Sequence, residues 1–307
     1  MDNIPFKLNN GEDKKLTIWD CPAPARAVML IIHGMSEHIE RYSRLAKALN
    51  KSGIAVAGFN LAGHGVELSK DNIGVFGTDG WNNMIADVSN AYDILKSKYP
   101  GIPLIMLGHS MGSFLLRCYI MRFENKLPDM LVLSGTGYYD KTIVRLGSAL
   151  AGFMSIFTGK DKPSKLISSL VFPKDKKAKT AFDWLSRDAF EVERYIKDPI
   201  CGFPLSSGAY KDFFGGLMAL TNEGSNKATK PNMPVLFISG EMDPIGKGDG
   251  VKKVADNFIK SGYKNVHVKL YPEARHELFN ELNRDSVTEE LTMWIDDNIE
   301  KFSEAAQ

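Results

Sequence analysis

The chain has 307 residues, 44% hydrophobic and 24% charged, which suits roughly one or two domains with a large core and is too apolar for disorder. Lys+Arg and Asp+Glu nearly cancel at 38 and 37, so no overall field favours nucleic acid or anionic lipid as a partner. Cys21, Cys118 and Cys201 stand far apart and form neither a disulfide framework nor a zinc spacing. The opening MDNIPFKLNNGEDKK lacks the basic-then-apolar plan of a signal peptide, and the expected location is the cytoplasm.

Along the chain, short apolar runs alternate with amphipathic stretches. Ala27–Ile32 reads as a strand that stops at His33-Gly34. Ile39–Asn50 follows as a helix with Tyr42, Leu45, Ala46 and Leu49 on one face. Ile54–Phe59 is the next strand, ending at Asn60 and a GHG turn, and Trp81–Tyr99 the next helix. Ile102–Leu107 stops at Gly108 and leads into Phe114–Phe123. Asp129–Leu133, Val235–Ser239 and Val266–Leu270 complete the strands, with helices at Gly250–Ser261 and Ser286–Phe302. Uninterrupted apolar strands suit a sheet covered on both faces, so the expected class is α/β, a mostly parallel central sheet flanked by helices. From about Tyr138 to Ser207 the pattern is helical and polar with no strand-like run. Residues 138–207 are therefore expected to form a helical cap over the strand C-termini, inserted between core segments 1–137 and 208–307.

Gly108-His109-Ser110-Met111-Gly112 lies between a predicted strand and a predicted helix. A serine on so tight a turn is held in a strained conformation, and its neighbours two positions away must lack bulk. Such a nucleophile needs a base and a group to orient it. His33 and His64 lie in HG turns, with His33 better read as a brace for its loop. His109 belongs to the turn itself, His38 starts a helix and His267 lies in a strand. His276, in the polar loop PEARHELFNE after the last strand, is the expected base. Asp243 in SGEMDPIG is the expected orienting acid, with Asp249 and Glu241 as competitors. Oxyanion donors are expected from the backbone N–H groups of Met111 and of Met35, the latter in the loop after the first central strand.

The chain order Ser110, Asp243, His276 is that of the α/β-hydrolases. Together HGMSEHIERY, NLAGHG, GHSMGS, GEMDPIG, ARHE and EVERYIKDPICG resemble the monoacylglycerol lipase and lysophospholipase branch of that fold, from about Ala25 to the C-terminal helix. The resemblance implies hydrolysis of a small-molecule acyl ester through an acyl-enzyme, with neither metal nor organic cofactor. Carried onto matching positions, it implies the triad Ser110, Asp243 and His276 and the oxyanion amides of Met35 and Met111. It also suggests a polar pocket for a glycerol head formed by Glu37, Arg41 and Tyr195. For Glu37 the residues themselves leave a second reading, a favourable charge in the first turn after a Ser36 cap. Asn60 departs from the Asp that many relatives carry before the GHG turn.

Leu146–Phe157 holds more apolar surface than one helix face can bury. Phe153 and Phe157 are therefore expected at an acyl site, and the surplus offers transient contact with a lipid surface. Two rival readings stand beside the esterase: an aminopeptidase of the same superfamily and a hydrolase-fold ligand receptor with little turnover. The acidic residues Asp183, Asp188, Glu191 and Glu193 bear on the first of these.

Overall fold

The computed structural model describes residues 2–69, 71–173, 178–225, 227–246 and 249–305. The strands are β1 (Asp2–Lys7), β2 (Asp13–Trp19), β3 (Ala27–Ile32), β4 (Ile54–Gly58), β5 (Leu104–His109), β6 (Met130–Ser134), β7 (Val235–Gly240) and β8 (Val266–Tyr271). They form one eight-stranded sheet in the order β1-β2-β4-β3-β5-β6-β7-β8. From β4 to β8 every pairing is parallel, as expected. The N-terminal hairpin β1–β2 joins antiparallel to β4 and was not expected from the polar opening.

Alternate residues of the central strands feed two cores, as the two-residue period of a strand requires. Val28, Leu30 and Ile32 of β3 join one apolar cluster with Met84, Val88, Leu115 and Leu116. These come from helices α2 (Gly80–Lys98) and α3 (Met111–Arg122); α1 (Ser43–Lys51) precedes them in the chain. Met29 and Ile31 point the other way and pack with Leu45 and Leu49 of α1 and with Val287, Leu291 and Ile295 near the C-terminus. Each such side chain, fully buried, contributes about 1.5–3 kcal/mol. Burial on both faces is what fixes the parallel sheet.

Between β6 and β7 run α4 (Lys141–Thr158), α5 (Lys165–Val171), α6 (Ala189–Lys197) and α7 (Ser207–Leu220). Each begins on a side chain that accepts from a first-turn amide: Asp140, Ser164, Asp188 and Ser206. One such cap is worth about 1 kcal/mol. α7 lies on the core helices, with Cys118 Sγ donating to the Gly216 carbonyl at 3.6 Å. α4 rests on α7, with Val144 and Ala151 buried and Gly147 against the Phe214 ring. Its opposite face presents Ile143, Leu146, Phe153, Ile156 and Phe157 to solvent. The chain closes with α8 (Asp249–Ser261) and α9 (Arg284–Ala305). Among the described residues no helix is long and apolar enough to cross a membrane.

Candidate active site

Ser110 sits between the end of β5 and the start of α3 at φ 50°, ψ −118°, a region that L-residues rarely enter. The turn is possible because two chains approach within the reach of a methyl group. A Cβ on Gly108 would stand 2.6 Å from the Gly112 carbonyl oxygen, and one on Gly112 would stand 2.1 Å from that of Ile32. The backbone is anchored by the Ser110 N–H donating to the Ser134 carbonyl at 2.9 Å. Among the described residues the N–H groups of Met35 and Met111 make no backbone hydrogen bond, and both residues line the cavity in which Ser110 stands.

Asp243 and His276 meet at the strand ends of β7 and β8. The His276 ring lies with Nδ1 2.9 Å from Asp243 Oδ2, and both side chains are almost wholly buried. Asp243 also accepts from Ser239 Oγ at 3.1 Å and from the Ile245 N–H at 2.9 Å. Burial alone opposes ionisation of Asp243, but His276 and the Ile245 N–H outweigh it and hold its pKa below the ordinary carboxylate value. Burial likewise opposes the imidazolium. The Asp243 carboxylate, then Glu277 and Glu37, reverse that and raise the His276 pKa above its usual value. The acid fixes Nδ1 as the protonated nitrogen and leaves Nε2 as a base. His276 Nε2 and Ser110 Oγ make no hydrogen bond to each other in this state, although both border the same cavity. Such contacts commonly tighten only with substrate bound. Of the competing acids, Asp249 is largely exposed near the start of α8 and Glu241 is also exposed.

The other histidines take different places. The His33 Nε2 accepts from the Leu61 N–H at 3.0 Å and its Nδ1 lies 2.8 Å from the Gly34 carbonyl; burial pushes its pKa down to about 3. It braces the loop, as expected. His64 Nε2 accepts from the Ser36 N–H at 3.1 Å and supports the same loop. His109 packs against His276 with ring centroids 4.7 Å apart, and burial lowers its pKa to about 4. His38 bridges Glu40 at 2.8 Å and Asp198 at 2.9 Å. Among the described residues His38, Asp198 and Cys201 alone bring three possible metal ligands within 4.8 Å of one another. Both ring nitrogens of His38 are already given to carboxylates, and the cluster is not among the cavity residues.

Glu37 and Tyr195 line the Ser110 cavity, but their polar atoms are committed to the protein. Glu37 accepts from the Gly34 N–H, Tyr42 and Arg41 at 2.6, 2.9 and 2.7 Å. The Tyr195 hydroxyl donates to the Ser36 carbonyl at 2.9 Å. Arg41 binds Glu277 through two parallel bonds of 2.6 Å. The structure does not bring Phe153 and Phe157 to this cavity. Their rings pack at a tilt with centroids 4.4 Å apart on the outer face of α4, more than half exposed, because α7 occupies that helix's other face. The apolar wall comes instead from Phe114, Tyr139, Val171, Phe172, Trp184, Leu185, Phe213 and Ile245. Most of these lie in helices or loops that carry no chemical motif, and only the fold brings them together. The cavity is small, about 40 Å³, and a neighbouring one of about 560 Å³ shares Phe172 and Trp184 with it.

Asn60 has a local explanation. Its Oδ1 accepts from the Ile39 N–H at 2.9 Å while its Nδ2 donates to the Glu40 carboxylate at 3.2 Å. An Asp would set two carboxylates face to face. Asn60→Asp is expected to cost about 1–2 kcal/mol in urea unfolding at neutral pH. The loss should shrink as pH falls through the carboxylate range, and an equal cost at all pH values would contradict the contact.

The family model described as "Serine aminopeptidase, S33" matches residues 23–283. The chain is 28% identical over 295 residues to a monoglyceride lipase homolog of Monkeypox virus, covering 95% of this chain and 97% of that protein. It is 27% identical to a monoacylglycerol lipase of Mycolicibacterium smegmatis, covering 91% of each. Among solved structures, a thermostable carboxyl esterase from Bacillus coagulans in complex with glycerol superposes with a TM-score of 0.87 at 27% identity, over 97% of this chain and 98% of that one. A soluble variant of monoglyceride lipase from Saccharomyces cerevisiae, in complex with a substrate analog, gives 0.72 at 21% identity over 97% and 94% of the two chains. With the strand order and the serine turn already in place, the matched length settles the family: the chain is an α/β-hydrolase and belongs to the serine aminopeptidase S33 family.

Proposed function

We propose that this chain hydrolyses acyl esters, with monoacylglycerols as the substrate class, through an acyl-enzyme on Ser110. His276 takes the serine proton and passes it to the leaving alcohol, Asp243 holds the ring, and the Met35 and Met111 amides receive the oxyanion. Water then repeats the sequence with the acyl-enzyme. The observation that carries this reading is the buried 2.9 Å Asp243–His276 pair beside a strained Ser110, under an apolar wall.

Residues 138–207 act as the cap in this reading. A cavity of about 40 Å³ admits little more than water, so substrate entry requires the covering side chains to move. The exposed stripe of α4, together with Leu166 and Leu170 of α5, supports contact with a lipid surface from which acyl esters are drawn.

An aminopeptidase needs a free carboxylate to receive an ammonium group, and the acids that bear on that reading are spent elsewhere. Asp188 pairs with Arg284, Glu191 with Arg44 and Glu193 with Lys197. Asp183 binds the amides of Lys179 and Thr180. A ligand receptor would show no turnover above about one per minute, against 1–10³ s⁻¹ for typical enzymes.

The test is a chain-length series of monoacylglycerols and p-nitrophenyl esters beside proline p-nitroanilide. kcat/KM is expected to rise by at most about fourfold per CH₂, from roughly 0.8 kcal/mol of burial, until the site is full. Phe153→Asp and Phe157→Asp are expected to lower turnover of vesicle-borne substrate while sparing soluble short-chain esters. Faster cleavage of the anilide than of any ester would overturn the proposal.

A further inference from the structure

Three segments that the proposed chemistry needs converge on one buried guanidinium. Arg41 Nη1 donates to Glu37 Oε2 at 2.7 Å and to Glu277 Oε1 at 2.6 Å, while Nη2 donates to Glu277 Oε2 at 2.6 Å. Glu37 is tied by its other oxygen to the Gly34 N–H, one residue before Met35. Glu277 directly follows His276, and Asn280 Nδ2 also donates to its Oε2 at 2.9 Å. From the cap, the Tyr195 ring lies under the guanidinium at 4.8 Å and its hydroxyl holds the Ser36 carbonyl. The three side chains are only 4–11% exposed.

Resting on the esterase reading, we propose that Arg41 is a positioning residue that clamps the oxyanion loop to the histidine loop beneath the cap, with Glu37 and Glu277 as its two jaws. The arrangement is costly as a source of stability alone, because a buried ion pair must first recover its desolvation penalty. Its geometry suits a different task. A planar fork that grips Glu277 with both Nη groups and Glu37 with one fixes the separation of two loops, which a single flexible ammonium does not. Two carboxylates against one guanidinium also leave a net negative charge beside His276. The charged and titratable groups facing that ring are Asp243, Glu37 and Glu277, with the His109 ring packed against it at a tilt and kept neutral by burial. The clamp thus favours the imidazolium that forms when Ser110 gives up its proton.

The experiment compares Arg41→Lys, Glu277→Gln and the neutral triple variant Glu37→Gln, Arg41→Met, Glu277→Gln with wild type. Each preparation is titrated with a fluorophosphonate so that kcat is expressed per competent Ser110. Arg41→Lys keeps the charge and loses the fork. Its kcat is expected to fall by about 100-fold, KM to stay within a few fold, and the factor to be the same for glycerol and p-nitrophenyl esters. Glu277→Gln is expected to move the acid limb of the kcat/KM profile to lower pH, since it removes negative charge from beside His276. The triple variant is expected to fold yet stay slow. A rise in KM confined to glycerol esters would overturn the clamp in favour of direct substrate contact. Normal kcat per titrated site in Arg41→Lys would reduce the cluster to a structural role. If the wild type hydrolyses no ester, the esterase reading fails by itself, and the clamp is then judged by the rate at which the fluorophosphonate labels Ser110 in Arg41→Lys against wild type.

Discussion

Ser110→Ala is expected to lower ester hydrolysis by about four to six orders of magnitude while leaving the fold intact, because the proposed mechanism gives the acyl-enzyme no other nucleophile. Its Oγ has no hydrogen-bond partner among the described side chains, so removal leaves no buried group unsatisfied. The strained backbone at φ 50° is held by the Ser110 N–H bond to Ser134 and by the glycines on either side, which alanine leaves unchanged. The melting temperature should therefore stay within a few degrees of wild type, and circular dichroism should superpose. Residual activity within a few fold of wild type would remove Ser110 from the mechanism.

Asp243→Asn and His276→Ala are each expected to lower kcat by about 10⁴-fold or more, and the double variant to be scarcely worse than either. Orientation and proton transfer form one unit, so removing the second member takes away nothing that remains. Asparagine at 243 has one oxygen for the Ile245 N–H, and its uncharged NH2 then stands where Oδ2 accepted from Ser239 and faced His276, so Nδ1 of His276 is no longer fixed as the protonated nitrogen. The pH dependence has a definite sign. The His276 pKa is raised in the fold and the ring must be neutral to act as base. Activity is therefore lost as pH falls through a value above the ordinary histidine pKa of about 6.5. In Asp243→Asn the residual activity should show that limb at lower pH. A damaging Asp249→Asn with a mild Asp243→Asn would identify the wrong acid.

How much of this was legible in the sequence depended on distance along the chain. The strands β3 to β7 announce themselves because burial on both faces forces unbroken apolar runs, whereas the edge strand β8 is mostly exposed and shows only as the alternating VHVKL. Ser110, Asp243 and His276 stand out because each follows a strand at a turn. The N-terminal hairpin was missed, although Asn10-Gly11 between alternating segments is a turn signal. Lys14, Lys15 and Asp13 obscured the period of an edge ladder. α7 was hidden by Gly215-Gly216, which lower helix propensity. Gly216 is there because a Cβ would stand 2.2 Å from the Trp81 ring. Without α7 the inner face of α4 has no partner, and Phe153 and Phe157 are then drawn toward the acyl site rather than the solvent they face. Glu277 was passed over as a neighbour of His276, since its partner Arg41 lies 236 positions away in the chain.

The most direct test is to mix the protein with a slowly deacylated p-nitrophenyl ester, quench with acid during the initial burst and map the acyl mass by peptide mass spectrometry. One acyl group on the peptide carrying Ser110 is predicted, absent from Ser110→Ala and strongly reduced in His276→Ala. Rapid ester turnover with no adduct on Ser110, or with the acyl group on another side chain, would contradict the account.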